Sequence, residues 1–195
     1  MSEAMPAGQG TMAAVLGLGV EEVNRICSSA SLSGEVVPAN FNCPGQTVIS
    51  GTREAVEKAA ALAGERGAKR VLPLAVSGPF HSRFMEGVSH KLAGLLDTFS
   101  MEAPEYSFVA NVTGKEIQKA DKIKEALVKQ VMCPVLWQQS VEYLIGQGAS
   151  VFVEVGPGRV LSGLIRKIDR RVKVLNVEDC ETLENVSKVL EEVKG

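Results

Sequence analysis

Apolar and polar positions along this chain follow two periods, and the period switches from one short segment to the next. Residues 11–18 ("TMAAVLGL") form an apolar run stopped at Gly19, which predicts a strand. In residues 20–30 the positions Val20, Val23, Ile26, Cys27 and Ala30 recur at helical spacing. Residues 36–42 and 47–50 read as extended, separated by "CPGQ", whose Pro44-Gly45 marks a turn. Thr52 is placed to cap a helix over 53–65 with Val56, Ala59, Ala60 and Ala63 on one face; Gly67 ends it, and 70–76 is a further strand. The order β-α-β-β-α-β over 11–76 predicts a ferredoxin-like unit, two helices covering one face of a four-stranded antiparallel sheet.

Beyond residue 76 the pattern changes. Residues 82–99 carry Met85, Val88, Leu92, Leu95, Leu96 and Phe99 at helical intervals. A strand is predicted over 106–113, a helix over 121–132 stopped by Pro134, and a helix over 138–145. A buried strand over 150–155 ("SVFVEV"), a helix over 160–168, a strand over 173–177 and a helix over 182–193 complete the chain. Strands alternating with helices predict a parallel sheet covered on both faces. Three strands are few for such a sheet, so this part is expected to be less stable than 11–76. The predicted class is α/β, with a linker over 1–10, a small unit over 11–76 and a second part over 77–195.

Composition narrows the function. The 195 residues are 45% hydrophobic, and Lys+Arg 21 against Asp+Glu 23 leaves a net charge of −2, so no basic field awaits nucleic acid. No apolar run is long enough to span a bilayer, and "MSEAMPAGQG" lacks the regions of a signal peptide. Cys27, Cys43, Cys133 and Cys180 are far apart and form no C-x-x-C pair. A cytoplasmic protein with reduced thiols, no metal site and no nucleic-acid or membrane partner is the reading these features support.

Two histidines are candidates for chemistry. His90 shares a helix side with Arg83, Glu86 and Asp97, away from the apolar stripe, and is expected in solvent. His81, in "VSGPFHSRFM", lies between a strand and the start of a helix, whose dipole favours an uncharged imidazole able to accept a proton. From position alone it is equally a base or a helix-start residue with no task. No G-x-S-x-G elbow supplies a nucleophile: Ser50, Ser77, Ser140 and Ser162 lack the flanking glycines, and no cysteine sits in a recognisable nucleophile setting. "EVGPGRVLSG" over 154–163 mimics a phosphate-cradling loop. Leu161 stands where the third glycine belongs and Pro157 removes a donor, so a tight strand-to-helix turn is the better reading.

Six blocks, "GTMAAVLGL", "ANFNCPGQTVISG", "LPLAVSGPFHSRFM", "VANVTG", "LVKQVMCPVLWQQSVEYL" and "VEVGPGRVLSGLI", resemble, in that order, the malonyl-CoA:acyl carrier protein transacylases. The resemblance covers nearly the whole chain. It implies a ferredoxin-like βαββαβ subdomain together with the C-terminal part of an α/β-hydrolase-like subdomain. It implies an enzyme of fatty-acid biosynthesis that moves malonyl from malonyl-CoA to the phosphopantetheine thiol of acyl carrier protein, without a cofactor. In that family a serine on a G-H-S-x-G elbow is acylated. The histidine that activates the serine corresponds to His81, and the backbone carbonyl that orients the histidine belongs to Gln130 in "VKQVMCPV". The Gln130 side chain is then expected to matter little, since any residue brings a carbonyl. In the wider acyltransferase family a bulky aromatic before the histidine goes with malonyl over methylmalonyl, and Phe80 holds that place.

The departure from the family is the absence of its oxyanion loop, its serine elbow and the arginine that pairs with the malonyl carboxylate. "PAGQG" at 6–10 resembles the oxyanion loop only superficially and matches the linker into the small unit. The chain is therefore expected to be a fragment, inactive alone, and, without the family's other strands, to expose an apolar edge at 106–113 or 151–155. A non-catalytic half that binds acyl carrier protein and the acyltransferase domain of a polyketide synthase are the alternatives. The end at Gly195 after a terminal helix favours the stand-alone bacterial type. The densest basic cluster, Arg166, Lys167, Arg170, Arg171 and Lys173, is either a docking strip for the acidic carrier or a solvated helix end.

Overall fold

The computed structural model describes residues 8–194, and contacts divide the chain into two compact units, 1–140 and 141–195. This division falls at another place than the predicted 76/77 boundary. Of the predicted linker, residues 1–7 lie outside the described residues; Gly10 already begins the first strand.

In the first unit β1 (Gly10–Leu16), β2 (Val36–Cys43), β3 (Gln46–Thr52) and β4 (Arg70–Pro73) form one sheet in the order β2-β3-β1-β4, with every pair antiparallel. With α1 (Val20–Ala30) and α2 (Arg53–Glu65) this is the ferredoxin-like topology read from the sequence. Strand alternation splits β1 between two cores. Ala13 and Val15 pack with Val23, Ile26, Val56 and Ala59 under the helices, while Met12 and Ala14 meet Ala39 and Val48 on the other face. Thr52 caps α2, its Oγ1 accepting from the Ala55 N–H at 3.4 Å. Gly51 has to be glycine: a Cβ there would stand 2.0 Å from the Glu35 carbonyl oxygen.

β2 is an edge strand, consistent with Pro38 inside it and with register shifts at Pro38/Asn40 and Phe41/Cys43. Its outer edge is nevertheless used. Phe41 N–H donates to the Val135 carbonyl at 2.9 Å, and Val135 N–H donates to the Ala39 carbonyl at 2.8 Å, a parallel bridge to a distant stretch.

Residues 74–136 of this unit hold a 3₁₀ turn (Arg83–Met85), α3 (Glu86–Asp97), the hairpin β5 (Val109–Ala110) and β6 (Lys115–Glu116), and α4 (Ala120–Gln130). The predicted 82–99 helix is present as the 3₁₀ turn and α3, with its apolar stripe only partly covered: Met85 is fully buried, whereas Leu95 and Phe99 are 55% and 57% exposed. Among the described residues α3 packs mainly on α4, with Ser89 Oγ donating to the Val128 carbonyl at 2.9 Å. The predicted 106–113 strand shrinks to two residues, and Tyr106 is 80% exposed. A strand needs a partner for its N–H and C=O groups, and among the described residues β6 pairs with Val109 and Ala110 alone, the Asn111 carbonyl accepting instead from Leu136 N–H at 2.8 Å.

α5 (Trp137–Gly146) spans the division. In the second unit β7 (Val151–Val155) and β8 (Lys173–Val177) pair in parallel, with α6 (Val160–Ile168) and α7 (Cys180–Lys194). The parallel pairing follows the sequence reading; the covered, three-stranded sheet does not. The 106–113 segment is not part of this sheet, and β7 leaves Val155 78% exposed, the apolar edge expected where neighbouring strands are lacking, because only β8 lies beside it among the described residues.

The helix-covered core of the first unit contains Cys27, whose thiol burial pushes up to about 12, whereas Cys180 is exposed. Iodoacetamide at pH 8 is expected to alkylate Cys180 and leave Cys27 unmodified until denaturant opens the sheet, because the thiolate is the nucleophile. Peptide mass spectrometry checks this; rapid labelling of Cys27 in the folded chain contradicts the packing.

Candidate functional site

The loop after β4 is built around His81. Pro79 is fully buried, and Ser82 Oγ, itself buried, donates to the Pro79 carbonyl at 2.5 Å, closing a tight turn. Met85 N–H then donates to the Ser82 carbonyl at 3.0 Å and starts the 3₁₀ turn. Between these two anchors His81 is forced to φ 58°, and it is the only non-glycine residue at positive φ among the described residues. A left-handed residue other than glycine costs about 1–3 kcal/mol and persists only where its surroundings over-determine it.

What holds the ring is the end of α4. Gln130 is the last residue of that helix, so its carbonyl has no intrahelical partner. His81 Nδ1 lies 2.9 Å from this oxygen. A carbonyl only accepts, so Nδ1 carries the proton and donates, and Nε2 keeps its lone pair for another group. The two residues singled out in the sequence, 49 positions apart, are thus in direct contact.

Phe80, adjacent to His81, is half-buried and packs with Leu74 against the Met12, Ala14, Ala39 and Val48 face of the sheet. Glu35, Pro38, Phe41, His81, Met132 and Pro134 line a cavity of about 390 Å³, so the ring sits against the β2 edge and the chain leaving α4. On its rim Arg83 forms an ion pair with Glu35, the residue whose carbonyl crowds Gly51. A larger cavity of about 600 Å³, between the β5–β6 hairpin and α4, holds no histidine or cysteine. Sequence reasoning missed the Glu35–Arg83 pair, the Ser82 anchor and the Gln130 amide described below. Ser82 carries the one available signal, a small polar residue directly after the histidine.

Other sequence candidates resolve differently. His90 is exposed, as expected. In the 154–163 turn, Gly156 and Gly158 take φ 138° and 84°, but the N–H groups a phosphate would need are occupied. The Glu154 carboxylate accepts from Leu161 N–H at 3.0 Å and Ser162 N–H at 2.7 Å, and Glu178 accepts from Gly158 N–H at 3.0 Å. Burial pushes the Glu154 carboxyl up, and the hydrogen bonds from Ser162 and Leu161 outweigh it and hold it below its ordinary value. The tight-turn reading stands. Within the basic cluster, Arg166 donates to the Val174 carbonyl. Arg171 is clamped to Asp169, whose carboxyl its side-chain and backbone hydrogen bonds lower to about 2. Among the described residues no group of three or more His, Cys, Asp or Glu side chains could hold a metal ion, and no helix is long and apolar enough to cross a membrane.

Comparisons with known proteins identify the family. The malonyl CoA-acyl carrier protein transacylase of Bacillus subtilis (strain 168) is 44% identical over 193 residues, which cover 98% of this chain and 61% of that protein. The crystal structure of a transacylase of the same name from Clostridium perfringens superposes with TM-score 0.95 at 40% identity, covering all of this chain and 61% of the other. A malonyl-transacylase solved in complex with a type II polyketide acyl carrier protein superposes with TM-score 0.91 at 42% identity, covering 94% of this chain and 59% of that one. The chain therefore spans about 60% of the length of these relatives and shares their α/β fold. The pattern described as "Acyl transferase domain" matches residues 1–192, with the histidine turn inside it, and the chain belongs to that family.

Proposed function

We propose that this chain provides the base, and the carbonyl that orients it, for transfer of malonyl from malonyl-CoA to the phosphopantetheine thiol of acyl carrier protein. Within that enzyme residues 11–76 are the small ferredoxin-like subdomain and 77–195 belong to the large α/β-hydrolase-like one. The observation that carries the reading is the contact of His81 Nδ1 with the Gln130 carbonyl at 2.9 Å, made by a histidine held at φ 58°. A backbone carbonyl here does the work that a carboxylate does in a Ser-His-Asp triad: it fixes the tautomer and aims Nε2.

The chemistry follows from that free nitrogen. Nε2 takes the proton from a serine hydroxyl as its oxygen attacks the malonyl thioester; the carbon–sulfur bond breaks, and the coenzyme A sulfur leaves with the proton. In the second half Nε2 takes the proton of the carrier thiol, whose sulfur attacks the malonyl ester, and the serine oxygen leaves and is reprotonated. The imidazolium formed in between lies at the C-terminal, negative end of α4, which stabilises it. Each step exchanges an acyl group and a proton, so the reaction calls for no cofactor. The serine comes from the part of the family's length that this chain does not span. The carrier, small and acidic, is the second partner in this reading. In the basic cluster Arg171 is engaged by Asp169, which favours a solvated helix end there over a docking strip.

Incubated with malonyl-CoA, the chain alone is expected to show no stable malonyl adduct by mass spectrometry. Mixed or fused with the serine-bearing segment of a transacylase relative, it is expected to support transfer. In that reconstituted enzyme His81→Ala is expected to lower the rate by about 10²–10⁴, the typical worth of general-base assistance. An adduct on the isolated chain, or transfer that survives His81→Ala, refutes the assignment.

Phe80 bears on acyl choice. Its ring, fixed against the sheet, would crowd an α-methyl branch beside His81, and one methyl in a tight pocket is worth roughly 1–3 kcal/mol of discrimination. Phe80→Ser also removes packing, so the rate for both substrates should fall. The diagnostic is the ratio, and relative use of methylmalonyl-CoA is expected to rise. An unchanged ratio removes Phe80 from substrate selection.

A further inference from the structure

The Gln130 side chain is half-buried, and it points back at the turn that ends its own helix. Its Nε2 donates to the Cys133 carbonyl at 3.0 Å and to the Pro134 carbonyl at 3.2 Å, so both amide hydrogens are used. These are not ordinary helix-end bonds. Helices commonly stop at a left-handed glycine whose N–H groups satisfy the last carbonyls. No glycine follows α4: Val131 is still right-handed helical, and Met132 and Cys133 both donate to the Lys129 carbonyl, at 3.0 and 2.9 Å. Pro134 has no N–H to continue the pattern. One residue farther on, Val135 is stitched to β2.

We infer that the Gln130 side-chain amide is a positioning group: by clamping the Cys133 and Pro134 carbonyls it fixes the α4 exit and thereby the direction of the Gln130 carbonyl that orients His81. The catalytic significance of this device rests on the proposed role of His81; the geometry does not. It adds a side-chain role to the sequence expectation that alanine at 130, which keeps the carbonyl, costs much less than alanine at 81. Alanine keeps the carbonyl but removes the clamp, leaving a C=O free to follow the α4 end as it frays. It also leaves the Cys133 and Pro134 carbonyls without these donors. Glutamate has the same length and shape but, ionised, donates nothing and faces two carbonyl oxygens, so it separates donation from packing.

The test is the tautomer of His81 in the ¹⁵N-labelled chain at pH 8, read from long-range ¹H–¹⁵N correlations of the imidazole. The native chain is expected to be predominantly Nδ1–H. In Gln130→Ala and Gln130→Glu the ratio of Nδ1–H to Nε2–H is expected to fall roughly 2–10-fold, the range one hydrogen bond confers. Lys129→Ala, which alters an exposed neighbour and no clamp, should leave it unchanged. A native ratio in both Gln130 variants overturns the inference. If neither variant folds, the native chain still decides: both Gln130 side-chain amide protons should exchange with solvent more slowly than those of exposed amides, and fast exchange of the pair overturns it. Because these readouts involve no acyl transfer, the expected fall of the tautomer ratio in the variants with no transfer on reconstitution faults the functional reading and not this one.

Discussion

One unsatisfied carbonyl at the end of α4 governs the arrangement of the site. A helix leaves its last carbonyls without internal partners, and each must find a donor or face water. Here the Gln130 carbonyl finds His81 Nδ1, and the exchange serves both sides: the helix end is satisfied and the imidazole is locked into one tautomer with Nε2 unoccupied. No side-chain carboxylate is needed, so no buried charge has to be paired at this place.

The rest of the first unit holds the two partners in register. On the histidine side, the buried Pro79, the Ser82–Pro79 bond and the Phe80 ring on the sheet face confine His81 to a backbone conformation it would not choose. On the glutamine side, the bridge from Val135 to the β2 edge ties the α4 exit to the same sheet, and Ser89 ties α3 to α4 just ahead of Gln130. The edge of β2 thus does two things. It is protected from stray pairing, and it becomes the reference against which the carbonyl is set.

Legibility in the sequence tracked how local each cause is. The ferredoxin-like unit was readable because its signals are short-range: the apolar run of β1 stopped at Gly19, helical spacing in α1, Thr52 as a cap and Pro44-Gly45 as a turn. His81 stood out from its place before a helix start, but its role and Gln130 came through the family resemblance, since nothing in "GPFHS" or "VKQVM" announces a contact across 49 positions. The 106–113 strand was read too long because periodicity reports which residues are apolar, not whether a neighbour covers them, whereas the exposed edge of β7 is what a sheet short of strands is expected to leave. The Glu35–Arg83 pair was invisible because it is made only when distant backbone segments meet; the Gln130 clamp spans only three and four positions, but nothing in the sequence separates a glutamine that turns back on its helix exit from one that faces water. The 154–163 loop shows the converse: its departures from the phosphate fingerprint were visible, while the carboxylates of Glu154 and Glu178 that fill it were not.

Neutron diffraction from a deuterium-exchanged crystal of the chain, grown at a pD where histidine is uncharged, tests the central claim most directly. It locates the single ring deuteron of His81. The account predicts that deuteron on Nδ1, directed at the Gln130 carbonyl, with Nε2 bare. A deuteron on Nε2, with Nδ1 bare and turned away from Gln130, contradicts it.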